Sequence, residues 1–100
     1  MIRHIVVLEL VSEEAELRAT QTQELIERLE ALSDLPGVIS IRVHEDLGLV
    51  PGHWPLVLVS AFEDNDALVA YQAHPRHREV LAWMNSGVIG ARATVDYVDE

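Results

Sequence analysis

The hydrophobic patterns along the chain predict an α+β domain of the ferredoxin-like kind. It is a βαββαβ run whose four-stranded antiparallel sheet packs against that of a second copy. Three observations carry this reading. Short β-branched runs and longer stretches of helical spacing follow one another as strand, helix, strand, strand, helix, strand. The first and third strands are apolar on both sides while the second and fourth alternate, as central and edge strands of a split βαβ sheet should. Finally, a chain of 100 residues buries only a modest share of its surface alone, and two helices cover one side of such a sheet.

The elements can be justified in order. "IRHIVVLEL" (Ile2–Leu10) is short and β-branched, hence a strand. Ser12, followed by Glu13 and Glu14, predicts a serine-capped helix with acids in its first turn. Leu25, Leu29 and Leu32, with Ile26, form an apolar stripe at helical spacing, and Glu24 and Arg28 stand at i,i+4 in the favourable order. Pro36 cannot continue this helix and Gly37 turns the chain. In "VISIRVHED" (Val38–Asp46), Ile39, Ile41 and Val43 are expected on one face, with Ser40, Arg42 and His44 on the other. "LGLVPGHWP" (Leu47–Pro55) reads as a loop, and "LVLVSAF" (Leu56–Phe62) as an apolar strand. Asp64 should cap the next helix, with Asp66 in its first turn and Ala67, Leu68 and Tyr71 on one side. Pro75 disfavours helical geometry at His74 and suits the first position of a new helix, so a break is expected there. "ARATVDYV" (Ala91–Val98) alternates and closes the chain as a strand.

Composition narrows the function classes. Seventeen acidic residues against seven basic ones give a net charge of -10, so nucleic acid and anionic membranes are poor partners. The apolar share of 49% excludes disorder, and no apolar run approaches the length of a membrane span. The opening "MIRHIVVLEL" lacks a long hydrophobic leader core and reads as a strand. The absence of cysteine removes disulfides and thiolate zinc sites and is compatible with a reducing, cytoplasmic setting.

On the first strand, one face would be Ile2, His4, Val6, Leu8 and Leu10, and the other would carry Ile5 and Val7. On the third, Leu56, Leu58, Ser60 and Phe62 oppose Val57, Val59 and Ala61. Whichever side the helices take, an apolar side remains. A homodimer joined through the sheet faces is expected to cover it, because Leu47–Pro55 is too short to do so.

The stretches "MIRHIVVLEL", "LPGV", "LVSAFEDNDALVAYQAHPRH" and "ARATVDYV" together resemble the stress-responsive α/β-barrel (Dabb) domains, across essentially the whole chain. The most specific element is the run from Phe62–Glu63–Asp64 to "YQAHPRH". The resemblance implies a dimeric α/β barrel in which two ferredoxin-like sheets enclose a shared interior. Many members are stress-associated proteins of unassigned activity. One plant branch includes a polyketide cyclase that closes an aromatic acid by aldol condensation without cofactor or metal. Its tyrosine and second histidine fall on Tyr71 and His77, and its first-strand pocket histidine on His4. A further pocket histidine of that enzyme falls near Leu56, which is apolar, with only His53 just upstream.

The corner can also be read from its own residues. His77 would lie in the first turn of the helix begun by Pro75, where the positive end of the helix dipole disfavours imidazolium. A neutral imidazole is what a general base needs, and a Tyr71 hydroxyl could steady an enolate oxygen. Three functions stand open. One is a cofactor-free enzyme of the cyclase or lyase kind acting on a small hydrophobic carbonyl compound held between sheet and helices. The second is a non-catalytic stress-associated homodimer in which the His-Pro-x-His corner is only a capped kink. The third is a protein like the cofactor-independent monooxygenases. A divalent ion shared by His74 and His77 would lack an evident third ligand, so no metal or cofactor is expected. Trp54 and Trp83 are expected to pack, Trp54 at a cavity mouth.

Overall fold

The computed structural model describes residues 1–100. The elements run β1 (Ile2–Leu10), α1 (Ala15–Glu30), a 3₁₀ turn (Ala31–Asp34), β2 (Val38–Glu45), β3 (Leu56–Phe62), α2 (Asn65–Ala73), α3 (Pro75–Met84) and β4 (Ile89–Val98). All sheet pairings are antiparallel, in the order β2-β3-β1-β4. The two strands that are apolar on both sides, β1 and β3, are thus central, and the architecture is a ferredoxin-like βαββαβ.

Helix α1 begins two residues later than the serine suggests. Ser12 Oγ accepts from Glu14 N–H at 3.1 Å, forming a local turn. Glu14 is the cap, its carboxylate accepting from the N–H groups of Glu16 and Leu17 at 3.1 and 2.8 Å. A charged acceptor at a positive helix end makes a stronger bond than a hydroxyl there. Leu25, Leu29 and Leu32 are buried as the stripe requires, and Arg28 reaches Glu24 at 3.0 Å while lying over the Trp83 ring at 4.6 Å. Asp64 caps α2 through a 2.8 Å bond from Ala67 N–H.

Ile39 departs from the expected alternation. The β2–β3 register shifts between Val38 and Ser40, an extra residue that leaves Ile39 half exposed, at 50%, while Ile41 and Val43 enter the core. The last strand also starts earlier than Ala91, at Ile89.

Register assigns the two sheet faces. Ile2, His4, Val6, Leu8 and Leu10 are buried beneath the helices, beside Leu56, Leu58, Ser60 and Phe62. On the opposite side Arg42, Val59, Ile5 and Val95 form one row and His44, Val57, Val7 and Ala93 the next. No helix covers that second side: Val95 is 62% and Tyr97 47% exposed. From Ala91 to Tyr97, strand β4 therefore turns its apolar residues away from the chain's own helices and its polar ones, Arg92, Thr94 and Asp96, toward the helix side. There too it is largely uncovered, and a gap opens between β4 and α3. No helix is long and apolar enough to cross a membrane.

Candidate functional site

The gap is a pocket of about 250 Å³, lined by side chains of β1, β3 and β4 below and α1, α2 and α3 above. Its floor and walls are mostly aliphatic: Val6, Leu8, Leu29, Leu58, Leu81 and Met84. Its polar groups are His4, His77, Gln72, Arg92 and Thr94. It lies on the helix side of the sheet, opposite the bare apolar face, so a partner packed on that face would not occupy it.

His77 is placed by the helix break. His74 has an extended backbone, and its Nδ1 accepts from Arg76 N–H at 3.1 Å, capping α3, which begins with Pro75. His77 then falls in the first turn, 9% exposed, with Nδ1 3.1 Å from the Gln72 carbonyl. A carbonyl only accepts, so Nδ1 carries the proton and Nε2 of the neutral ring keeps its lone pair. Burial holds the imidazole below its ordinary value. Nearby His4 adds to this, and the bond to Gln72 opposes it. Desolvation is the leading cause of this shift, where the sequence alone pointed to the helix dipole.

His4, 5% exposed on β1, lines the same pocket. Its Nδ1 donates to Asp96 Oδ1 on β4, which leaves its Nε2 as the second free ring nitrogen. Asp96 lies 92 positions away in sequence and is brought opposite His4 by strand register. Ser60 Oγ donates to the His4 carbonyl at 2.9 Å and fixes the strand beneath it.

Tyr71 is close to these residues but does not line the pocket. Its ring packs 4.5 Å from that of His77 and 4.8 Å from that of Phe62, and the residue is only 2% exposed. The hydroxyl is buried without a hydrogen-bond partner, and burial pushes the phenol well above its ordinary value. At neutral pH it is a proton donor with nothing to donate to.

The rings thus follow one another as His4, Phe62, Tyr71 and His77, with His4 6.3 Å from Phe62. The positions that match the cyclase's third-strand histidine do not join them. Leu56 is a core residue, and His53 is exposed and pairs with Asp46 at 3.2 Å. Trp54 lies in a shallow groove with Val7 and Val57 at one end of the bare face, not at the pocket mouth. His74 and His77 each give Nδ1 to a backbone group, and no group of three His, Cys, Asp or Glu side chains could hold a metal ion. Asp96 and Arg92 were not singled out from sequence. The one available signal was the alternation of β4, which sets Arg92, Thr94 and Asp96 on a common face.

Comparison with known proteins agrees with the fold. The stress responsive A/B barrel domain (Dabb) family matches residues 2–99. None of the curated proteins matches the chain. Among solved structures, a dimeric protein of unknown function with a ferredoxin-like fold from Bacteroides fragilis is 27% identical, with a TM-score of 0.82 over 96% of this chain and 93% of that one. A dimeric ferredoxin-like protein of unknown function from Thermobifida fusca is also 27% identical, with a TM-score of 0.78 over 96% and 88% of the two chains. An antibiotic biosynthesis monooxygenase shares the fold at 18% identity, with a TM-score of 0.69 over 100% and 99%. With the match spanning nearly every residue from β1 to β4, the chain belongs to the stress responsive A/B barrel domain family.

Proposed function

We propose that the chain is a homodimer joined through its bare sheet faces, each subunit catalysing cofactor-free acid–base chemistry on a small hydrophobic carbonyl compound in its helix-side pocket. The uncovered row of Val59, Ile5 and Val95 and the dimeric relatives support the assembly. The absence of cysteine fits a cytoplasmic setting.

The observation that carries the chemistry is the setting of His77. Its Nδ1–H is tied to a backbone carbonyl, it lines an apolar pocket, and burial favours its neutral form. Its Nε2 is then the base that takes a proton from the carbon beside a carbonyl. The C–H electron pair forms the enolate, and the enolate carbon attacks a second carbonyl of the same molecule. The resulting alkoxide recovers the proton from His77, so no external reactant is needed. Tyr71, behind the pocket wall, packs its ring against His77 and holds the imidazole in place. His4, oriented by Asp96, positions the carbonyl.

Deuterium exchange tests this without knowledge of the natural substrate. In heavy water the protein should speed exchange at the carbons beside the carbonyl of 2-octanone, and His77→Ala should lower that rate by about 100-fold. Exchange no faster than in buffer, or unchanged by the substitution, would leave the second reading. That reading is a non-catalytic homodimer in which the His77–Gln72 bond only stabilises the corner. The shared fold of the monooxygenase adds no residue-level support for oxygen chemistry.

A further inference from the structure

Of the seven arginines, Arg78 and Arg92 form no ion pair, and of these two Arg92 is the one that lines the pocket. Arg3, Arg18, Arg28, Arg42 and Arg76 each pair with a carboxylate. Arg92 has no such partner although the chain carries 17 acidic residues. Its guanidinium donates to the Asn85 side-chain oxygen just past the end of α3, and it lines the pocket beside Thr94. No acidic side chain lines that pocket.

From this we infer that the pocket selects a small aliphatic carboxylate, its acid group on Arg92 and its chain along Leu8, Leu29, Leu81 and Met84. The inference rests on the pocket being the ligand site of the proposed function and names the class of compound it takes. An arginine without a carboxylate partner at the rim of an apolar cavity offers a planar pair of donors to a carboxylate. Thr94, two residues along the same face, can add a hydroxyl. Register sets the spacing: Arg92 is opposite Leu8, four residues along β1 from His4, or about 13 Å of strand. A ligand anchored at Arg92 therefore extends toward the histidines, and its reacting carbonyl lies well removed from its acid group. One guanidinium matches a monoanion. A phosphate dianion would carry an unmatched charge against a protein whose net charge is -10.

Calorimetric titration with octanoate and octanamide at pH 7 separates charge from chain. Octanoate should bind the wild-type protein about fivefold more tightly than octanamide or better, against the repulsion of the protein as a whole. In Arg92→Met the ratio should fall to one or below, and Arg92→Lys should restore part of it. Arg92 is exposed, so both variants should fold, with thermal melts as the check. Equal affinities in the wild-type protein, or a preference that survives in Arg92→Met, overturns the inference. Binding of octanamide alone would keep the pocket and reject the acid. Failure of both probes would remove the pocket as a ligand site and the proposed function with it.

Discussion

Replacing Tyr71 with phenylalanine should stabilise the protein. The ring contacts with Phe62 at 4.8 Å and His77 at 4.5 Å do not involve the hydroxyl, so they survive the change. What is lost is a buried O–H with no partner. Such a group costs on the order of 1–3 kcal/mol in desolvation. The void left by one oxygen offsets part of that gain, so a net increase of about 1 kcal/mol is expected. In a domain of this size that raises Tm by about 5 °C. The difference should also depend on pH with a defined sign. Burial raises the Tyr71 phenol in the fold, so the native state holds its proton where the unfolded chain, near 10, has lost it. That contribution to stability is complete below pH 10 and is lost as pH climbs past it. The phenylalanine variant has no such loss, so its advantage should widen above pH 10, by up to about 1.4 kcal/mol per pH unit. Urea melts of both proteins at pH 7, 10 and 11, at one fixed protein concentration, measure this. A variant less stable at pH 7, or an advantage that shrinks with alkalinity, would show that the hydroxyl is engaged and would refute the argument.

Two further perturbations probe the fold and the assembly. Gly37 has φ of +80°, and a Cβ there would lie 2.4 Å from that of Ala67 at the start of α2. Gly37→Ala should therefore cost about 3 kcal/mol, combining left-handed strain with overpacking, and a change below about 1 kcal/mol in urea melts would contradict the contact. Val59, at the centre of the bare sheet face, becomes a buried unpaired charge in Val59→Lys if that face joins two subunits. The dimer dissociation constant should then rise more than about 100-fold. Sedimentation equilibrium showing an unaltered dimer would place the interface elsewhere.

Contiguous stretches of sequence were enough for the element order, the central position of β1 and β3, and the break at His74–Pro75. Each depends on residues within one or two turns or on the pattern of a single strand, where local sterics and hydrophobic periodicity decide the outcome. Other features depended on partners distant in sequence. Ile39 is expelled by a bulge whose register is set by β3. The apolar side of β4 faces away from the helices because pairing with β1 puts Val95 beside Ile5 and Asp96 beside His4. The gap beside β4 leaves Tyr71 behind the pocket wall and puts Arg92 at the lining. None of these is carried by a local pattern, because cross-strand register and helix placement minimise exposed apolar area over the whole molecule, and only the assembled sheet determines which side chains share a cavity.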